Sequence, residues 1–214
     1  MIKAIIFDMN GVIVDDEHVH ELTFQEVLKR FSIRLNHKEY IDLFAWRTDK
    51  DGFLNFEKKY NIQLPIDECL KEKMRVYLEL FPANKKSFPS VLGLIKRFAG
   101  KFTLALTSSS SRQEIDLIIN EFSLRDYFSE IVSADDVVKG EPDPEPYLIT
   151  SRKLNIEPRY CLAIEDSASG VRSAKAAGMK CVAITTTHTQ KELEGANVIV
   201  EKFEEITNDL IFDL

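Results

Sequence analysis

The chain has 214 residues, of which 44% are hydrophobic and 29% are charged, and its formal net charge is −7. These fractions are ordinary for a folded globular protein and exclude a disordered chain. The negative charge excludes the basic face that a nucleic-acid-binding protein needs, so no nucleic-acid partner is expected. No apolar stretch approaches the ~20 residues that span a bilayer, so no membrane partner is expected either.

The cysteines and the amino terminus predict a cytoplasmic location. Cys69, Cys161 and Cys181 have neither the spacing of a disulfide framework nor that of a metal site. We expect reduced thiols, with Cys161 and Cys181 as small core residues on strands. The opening apolar run, which ends at Asp8, has no cleavage-site pattern behind it.

Short apolar runs alternate with helix-length amphipathic segments over most of the chain. Ala4–Phe7 stops at Asp8 and is typical of a buried parallel strand. Further strands are predicted at Thr103–Thr107, 130–133, 161–164, 181–184 and Val198–Val200. Helices are predicted between them at 111–122, 144–154 and 169–177. This order predicts an α/β fold with a parallel sheet that is covered on both faces.

Residues 15–86 interrupt the alternation, because only helical patterns occur there. Two apolar faces are predicted, one formed by Leu22, Val27, Leu28 and Phe31, the other by Cys69, Met74, Tyr77, Leu78 and Phe81. Helix starts are expected at Asn36, Asp49 and Pro65, and residues 82–89 are expected to be a linker. We therefore predict an all-helical cap domain at 15–86, inserted into a core domain formed by 1–14 and 87–214.

Polar residues follow several of the predicted strands, at the edge where open α/β sheets bind ligands. They are DMNG at 8–11, TSSSS at 107–111 and EDS at 165–167, and KGEPDP at 139–144 precedes a helix. Carboxylates with hydroxyl and backbone N–H donors suit a hard cation such as Mg²⁺ and a phosphate group.

Each of these segments also has a purely structural explanation. Asn10-Gly11 is a strong turn signal, while the serines and Asp166-Ser167 could cap helices. Their joint occurrence at one predicted edge favours a functional site.

Four segments resemble the ordered motifs of the haloacid dehalogenase-like superfamily: IIFDMNGVIVDDEHVH, LALTSSSSR, VVKGEPDPEPYL and AIEDSASGVRSAKAAGM. They are most similar to those of its sugar-phosphate phosphatases and β-phosphoglucomutases with a helical cap. The resemblance covers essentially the whole chain, and the fourth motif is the most specific. It implies a Rossmann-like core, a small phosphorylated metabolite as partner, and a monomer or weak dimer.

The resemblance also implies a nucleophile and a metal site. Asp8 would attack phosphorus and form an aspartyl phosphate, which splits hydrolysis into two steps. Mg²⁺ would be held by the Asp8 carboxylate, the backbone carbonyl of Asn10 and Asp166, with Glu165 helping directly or through water.

Phosphate contacts are implied for the serine-rich loop. Ser108 and the backbone N–H of Ser109 would hydrogen-bond the phosphoryl oxygens, and Thr107 is the adjacent alternative. Gly11 would let the chain turn after the nucleophile.

Asn10 departs from the family pattern, which has an aspartate there that protonates the leaving group and then activates water. An amide cannot shuttle a proton at physiological pH. General acid–base help is typically worth ~10²–10⁴-fold in rate. Asn10 fits either a natural branch with slower or different turnover or a change introduced to trap an intermediate.

Glu141 is the second departure, because the family usually has a lysine directly before this proline. A carboxylate there repels the nucleophile and the phosphate, by ~4 kcal/mol per charge pair at 4 Å and a dielectric constant of 20. We expect Lys139 to occupy the vacant position as the catalytic lysine, while Glu141 faces solvent. Arg112 and Arg172 are weaker substitutes.

The predicted cap carries candidate substrate-binding residues. His20 matches a cap histidine near the leaving oxygen of β-phosphoglucomutase-like proteins, and a solvent-facing histidine is the alternative. Arg47, Lys50 and Lys73 match substrate-contacting cap positions, but a solvated helix charge is the favoured interpretation for these three. Trp46 is expected to pack within the cap.

Three functions remain open from the sequence. The first is a Mg²⁺-dependent phosphohydrolase acting on a small phosphate ester through an aspartyl phosphate. The second is a phosphomutase-like transferase in which hydrolysis is slowed by Asn10. The third is a catalytically impaired homologue that binds a phosphate ligand, suggested by Asn10 and Glu141 together.

Overall fold

A parallel sheet forms the centre of the larger part of the molecule in the computed structural model, which describes residues 1–45 and 47–214. The described residues form six strands in the order β3-β2-β1-β4-β5-β6. Their bounds are β1 Ala4–Phe7, β2 Thr103–Thr107, β3 Glu130–Val132, β4 Cys161–Glu165, β5 Lys180–Ile184 and β6 Val198–Val200. The predicted α/β fold with a Rossmann-like parallel sheet is confirmed.

β1 lies in the middle of the sheet because it is apolar throughout. All four of its residues are buried, as expected for a strand that is covered on both faces. Phe7 pairs in parallel register with Leu106 of β2 and with Ile164 of β4. The carboxyl ends of these three strands therefore meet at one edge.

Helices alternate with the strands outside a helical segment near the amino terminus. They are α1 Glu17–Lys29, α2 His37–Leu43, α3 Asp49–Tyr60, α4 Ile66–Asn84, α5 Val91–Phe98, α6 Arg112–Glu121, α7 Glu145–Leu154, α8 Ala168–Ala176 and α9 Asn208–Phe212. The predicted helices at 111–122, 144–154 and 169–177 correspond to α6, α7 and α8. Sequence reasoning missed the short helices α5 and α9.

The core of the α/β part is a layer of small and branched side chains between sheet and helices. α7 packs against β2 and β3, and α8 packs against β4 and β5. Cys161 and Cys181 lie in this layer as buried strand residues with free thiols, as predicted. Tyr147 of α7 is also fully buried there.

The chain divides into two compact units, Met1–Asp15 with Lys86–Leu214 and, separately, Asp16–Lys85. The second unit contains α1 to α4. Its core is aromatic, with Phe24 of α1 against Phe44 and Phe53 at centroid distances of 4.4 and 5.3 Å. Trp46, for which a packing role was predicted, lies outside the described residues.

Some sequence expectations for the helical unit are wrong. Leu22 and Phe31 are exposed, although Val27 and Leu28 are buried as predicted. Phe31 is exposed because it lies beyond the end of α1 at Lys29. Pro82 lies inside the last turn of α4 rather than in a linker. The expected helix starts are confirmed, because α3 begins at Asp49 and Asn36 and Pro65 directly precede α2 and α4.

No helix in residues 1–45 and 47–214 is both long and apolar enough to cross a lipid bilayer.

The amino terminus of α2 offers a test of the helical unit. Asn36 accepts a hydrogen bond from the Glu39 backbone N–H, and the Glu39 side chain accepts from the Asn36 N–H. Asn36→Ala removes this capping box, so we expect the free energy of unfolding to fall by about 1 kcal/mol. Urea denaturation followed by circular dichroism measures the change. Lys38→Ala, an exposed change on the same helix, is the control, and an equal loss in both variants contradicts the assignment.

Candidate active site

Three carboxylates meet at the carboxyl edge of the sheet. Asp8 directly follows β1, Glu165 is the last residue of β4, and Asp166 follows it. One oxygen from each of the three lies within 4.8 Å of the other two. The structure thus brings together the acidic side chains that were predicted as metal ligands, and adjacent parallel strands are the reason.

Glu165 is held on several sides by hydrogen-bond donors. The buried hydroxyl of Tyr147 donates to its Oε1. Its Oε2 accepts from the Asp166 N–H at 3.2 Å and from the Ser167 hydroxyl at 3.2 Å. Burial raises the pKa of Glu165, and these hydrogen bonds oppose that rise. The orientation of this carboxylate is therefore fixed by the protein itself.

Two glycines make room for the acidic pair. Gly11 has a φ of +79°, and a side chain there would overlap the Asp166 carboxylate. A side chain at Gly170 would overlap the Glu165 carboxylate. Gly11 therefore serves the predicted turn and also permits a close approach to Asp166, which sequence reasoning did not foresee.

The surroundings of Asp8 disfavour its ionised form. Burial raises its pKa well above the usual range, and the charges of Glu165, Asp166 and Glu141 raise it further. A hydrogen bond from the Met9 backbone opposes the rise. A positive charge next to this carboxylate would favour its ionised form by offsetting the charges of its neighbours.

The loop after β2 supplies hydroxyl groups. Ser108 is 4% exposed, and its Oγ accepts from the Ser110 N–H at 3.1 Å. Ser109 is exposed. The alternative phosphate contact, Thr107, is wrong, because its hydroxyl is buried against Thr150 at 2.6 Å, and Thr150 donates onward to a carbonyl of α7.

Two of the motif serines cap helices, as the purely structural explanation of these segments predicts. Ser111 accepts a hydrogen bond at the start of α6, and Ser167 does the same at the start of α8. Ser111 and Ser167 therefore serve as helix caps, whereas Ser108 remains a candidate for the site.

Asn10 lies at the same edge and is half-buried. Its Oδ1 accepts a hydrogen bond from the Ser110 hydroxyl at 2.9 Å. The amide therefore links the nucleophile loop to the loop after β2. A side chain held in this way positions its neighbours but has no proton to exchange.

The expectation for Glu141 and Lys139 is wrong. Lys139 points outward, with 70% of its side chain exposed and its Nζ 3.6 Å from the Asp143 carboxylate. Glu141 is half-buried, and burial together with the charges of Glu165 and Asp166 raises its pKa well above the usual range. A fourth negative group therefore faces the cluster. Whether residue 141 meets these charges or solvent depends on the path of the loop, which composition alone does not reveal.

The other candidate cations are engaged elsewhere or exposed. The Arg112 guanidinium lies 2.8 Å from the Asp136 carboxylate and also donates to the Ile131 carbonyl. Arg172 is exposed on α8. Neither residue replaces the family lysine in this structure.

The predicted substrate-binding residues of the helical unit differ in their surroundings. His20 is half-buried, with Nε2 3.3 Å from Asp16, and its ring stacks on Tyr77 at a centroid distance of 4.7 Å. A solvent-facing histidine is therefore the wrong alternative. Arg47 and Lys50 are exposed, as expected for solvated charges.

Lys73 does not fit the solvated interpretation. It is 1% exposed, its Nζ is 3.0 Å from the Asp49 carboxylate, and it lies over the Tyr77 ring. Burial and an ion pair are the features of a structural or binding lysine rather than of a surface charge.

Oxygen donors make up the cluster of Asp8, Glu165 and Asp166. Hard oxygen ligands without sulfur or imidazole suit Mg²⁺ or the similar Mn²⁺ rather than Zn²⁺ or Cu²⁺. Burial of several like charges adds a second reason, since it makes a bound cation favourable. The residues therefore fit the cation that the resemblance implies.

Sequence reasoning missed two residues next to the cluster. Tyr147 is one, and a buried tyrosine usually needs a hydrogen-bond partner, which was an available signal. Thr187 is the other, and its hydroxyl donates to Asp166 Oδ2. It lies in the run TTTH at 185–188 directly after β5. Polar residues that follow a parallel strand are expected at the ligand-binding edge, so this position in the sequence was an available signal.

The chain is similar to a phosphatase and to two solved structures over nearly its full length. It is 31% identical over 225 residues to the "phosphorylated carbohydrates phosphatase" of Thermotoga maritima, which covers 97% of this chain and 98% of the relative. The structure matches a putative β-phosphoglucomutase from Thermotoga maritima with a TM-score of 0.83, 28% identity and full coverage of both chains. CbbY from Rhodobacter sphaeroides, in complex with phosphate, matches with a TM-score of 0.87, 25% identity and full coverage of both chains.

Residues 5–184 match the family described as haloacid dehalogenase-like hydrolase. Together with the sheet order and the position of the acidic cluster, this match shows that the chain belongs to the haloacid dehalogenase-like hydrolase family.

Proposed function

We propose that this protein is a Mg²⁺-dependent phosphohydrolase that acts on a small phosphate ester of the sugar-phosphate type. The observation that carries the proposal is the cluster of Asp8, Glu165 and Asp166 within 4.8 Å. Family membership and the phosphatase relative from Thermotoga maritima support the reaction type. The phosphate complex of CbbY supports a phosphate ligand at a site of this fold.

In this proposal Asp8 is the nucleophile. Its carboxylate attacks phosphorus, the ester oxygen leaves, and the aspartyl phosphate is later hydrolysed by water. Asp8, Glu165 and Asp166 would hold Mg²⁺, which would supply positive charge to offset the negative charge that accumulates on the phosphate. Glu165 and Asp166 hold fixed positions for this purpose, since both accept hydrogen bonds from neighbouring residues.

Ser108 completes the phosphate side of the site. Its hydroxyl lies at the carboxyl end of β2, the strand next to β1. The hydroxyl and the N–H groups of the following loop are donors for the phosphoryl oxygens. The helical unit at 16–85 is proposed to act as a cap, which limits substrates to small phosphorylated metabolites.

Asn10 favours a second candidate, a phosphoryl transferase of the phosphomutase type. Hydrolysis of the aspartyl phosphate needs a base that activates water, and the Asn10 amide cannot supply one. A sugar hydroxyl held against the phosphoenzyme attacks more readily than free water because it is already in position, and the Asp8 carboxylate released in that step can take up its proton.

Asn10→Asp tests the assignment of the missing acid–base group. We expect the steady-state rate with a panel of sugar phosphates and p-nitrophenyl phosphate to rise by about 10²-fold, because a carboxyl group regains proton transfer. We expect the wild type to accumulate an acid-stable, base-labile phosphoenzyme, detected by intact-protein mass spectrometry after an acid quench.

Asp8→Ala is the control in the same assay. Activity that persists in Asp8→Ala refutes the proposed mechanism. A panel that shows no gain for Asn10→Asp refutes the idea that Asn10 alone limits turnover. Discharge of the phosphoenzyme by a sugar hydroxyl, but not by water, selects the transferase.

Glu141→Lys tests whether the inward carboxylate weakens phosphate binding. Two unit charges several ångströms apart interact by a few kcal/mol at a dielectric constant of about 20, and this change reverses one charge. We therefore expect inorganic phosphate to bind at least about tenfold more tightly in the presence of Mg²⁺, measured by isothermal titration calorimetry.

Glu157→Lys makes the same change in charge at an exposed position before β4, at the opposite edge of the sheet. It should leave phosphate affinity unchanged. Equal affinities in wild type and Glu141→Lys would contradict the electrostatic role. Phosphate binding without turnover or phosphoenzyme in every variant would instead favour a binding homologue.

A further inference from the structure

The loop after β5 contacts the acidic cluster through side chains to which the proposed function gives no role. Thr186 Oγ1 donates to the Gly11 carbonyl at 2.6 Å. Thr187 Oγ1 donates to Asp166 Oδ2, and His188 Nδ1 lies 2.8 Å from the same hydroxyl. The loop therefore contacts the segment after the nucleophile and also one of the candidate metal ligands.

The number of protons decides the direction of these hydrogen bonds. A threonine hydroxyl has one proton, and the Asp166 carboxylate can only accept. The Asp166 backbone carbonyl is a poorer acceptor for Thr187, at 3.4 Å. The hydroxyl proton therefore goes to Oδ2, which requires His188 to donate its Nδ1–H to Thr187 Oγ1. The result is a donor chain that runs from His188 through Thr187 to Asp166.

Asp166 Oδ2 is confined from a second direction by Gly11. A Cβ atom at position 11 would overlap this oxygen, so the oxygen packs directly on the glycine backbone. A hydroxyl on one side and a glycine on the other leave the carboxylate little freedom to rotate. Groups that orient a metal ligand in this way typically change metal affinity by 10–100-fold.

We propose that Thr187, oriented by His188, is a positioning residue that fixes the Asp166 carboxylate for a divalent cation. The inference rests on the proposed function, because Asp166 is assigned there as a metal ligand. Thr187 is exposed, so its hydroxyl can be removed without opening a cavity in the core.

Binding of Mn²⁺ to the metal-free protein tests the proposal without relying on activity. Free Mn²⁺ is measured by electron paramagnetic resonance in titrations of wild type, Thr187→Val and Thr187→Ser. We expect Thr187→Val to bind 10–100-fold more weakly, because its shape is kept while the hydroxyl is lost. Thr187→Ser keeps the hydroxyl and should bind like the wild type.

Thr185→Val is the matched control in the same loop. Its hydroxyl faces the Val200 carbonyl at 3.5 Å rather than the cluster, so Mn²⁺ affinity should not change. The midpoint of thermal unfolding in EDTA should be the same for wild type and Thr187→Val, which separates positioning from stability. His188→Ala alone should weaken Mn²⁺ binding. The double variant with His188→Ala and Thr187→Val should bind Mn²⁺ no more weakly than Thr187→Val alone.

The outcomes separate this inference from the proposed function. A wild type that binds no Mn²⁺ overturns both. A wild type that binds Mn²⁺ with equal affinity in Thr187→Val overturns the positioning role alone. The positioning role is also overturned if Thr187→Ser weakens Mn²⁺ binding as much as Thr187→Val does. It is likewise overturned if His188→Ala weakens Mn²⁺ binding in the Thr187→Val variant as much as in the wild type.

Discussion

The close approach of negative charges at one edge of the sheet is the constraint on which the site depends. Oxygens of Asp8, Glu165 and Asp166 lie within 4.8 Å of one another, and the charge of Glu141 adds to theirs. Buried like charges repel strongly, and hydrogen bonds offset only part of that cost. The tyrosine, threonine and serine hydroxyls around Glu165 and Asp166 are neutral donors. They orient the carboxylates and leave the balancing charge to a cation.

The fold places these groups through strand order and glycine positions. β1 lies between β2 and β4, so the nucleophile, the phosphate-binding hydroxyl and the acidic pair follow three neighbouring strands. Gly11 and Gly170 then allow backbone to approach the carboxylates at distances that any side chain would prevent. The proposed chemistry therefore follows from a short apolar strand, its two neighbours and two residues that lack a Cβ atom.

The strands and the acidic cluster could be predicted because they follow from local patterns. Short apolar runs mark buried strands, and the rule for carboxyl ends selects Asp8 and Asp166. The direction of Glu141 could not be predicted, because it depends on the path of a loop. The burial of Lys73 also could not, because its partner Asp49 lies on a different helix. Thr187 follows β5 in the same way, so the rule for carboxyl ends is sufficient to predict its position.

Anomalous diffraction from crystals soaked in Mn²⁺ tests the central claim most directly. We predict one strong anomalous peak at the edge of the sheet, with oxygens of Asp8 and Asp166 both about 2.2 Å from the ion, close to the short distances of Mg²⁺ sites. A peak elsewhere on the molecule, with the three carboxylates left without an ion at saturating Mn²⁺, would contradict it.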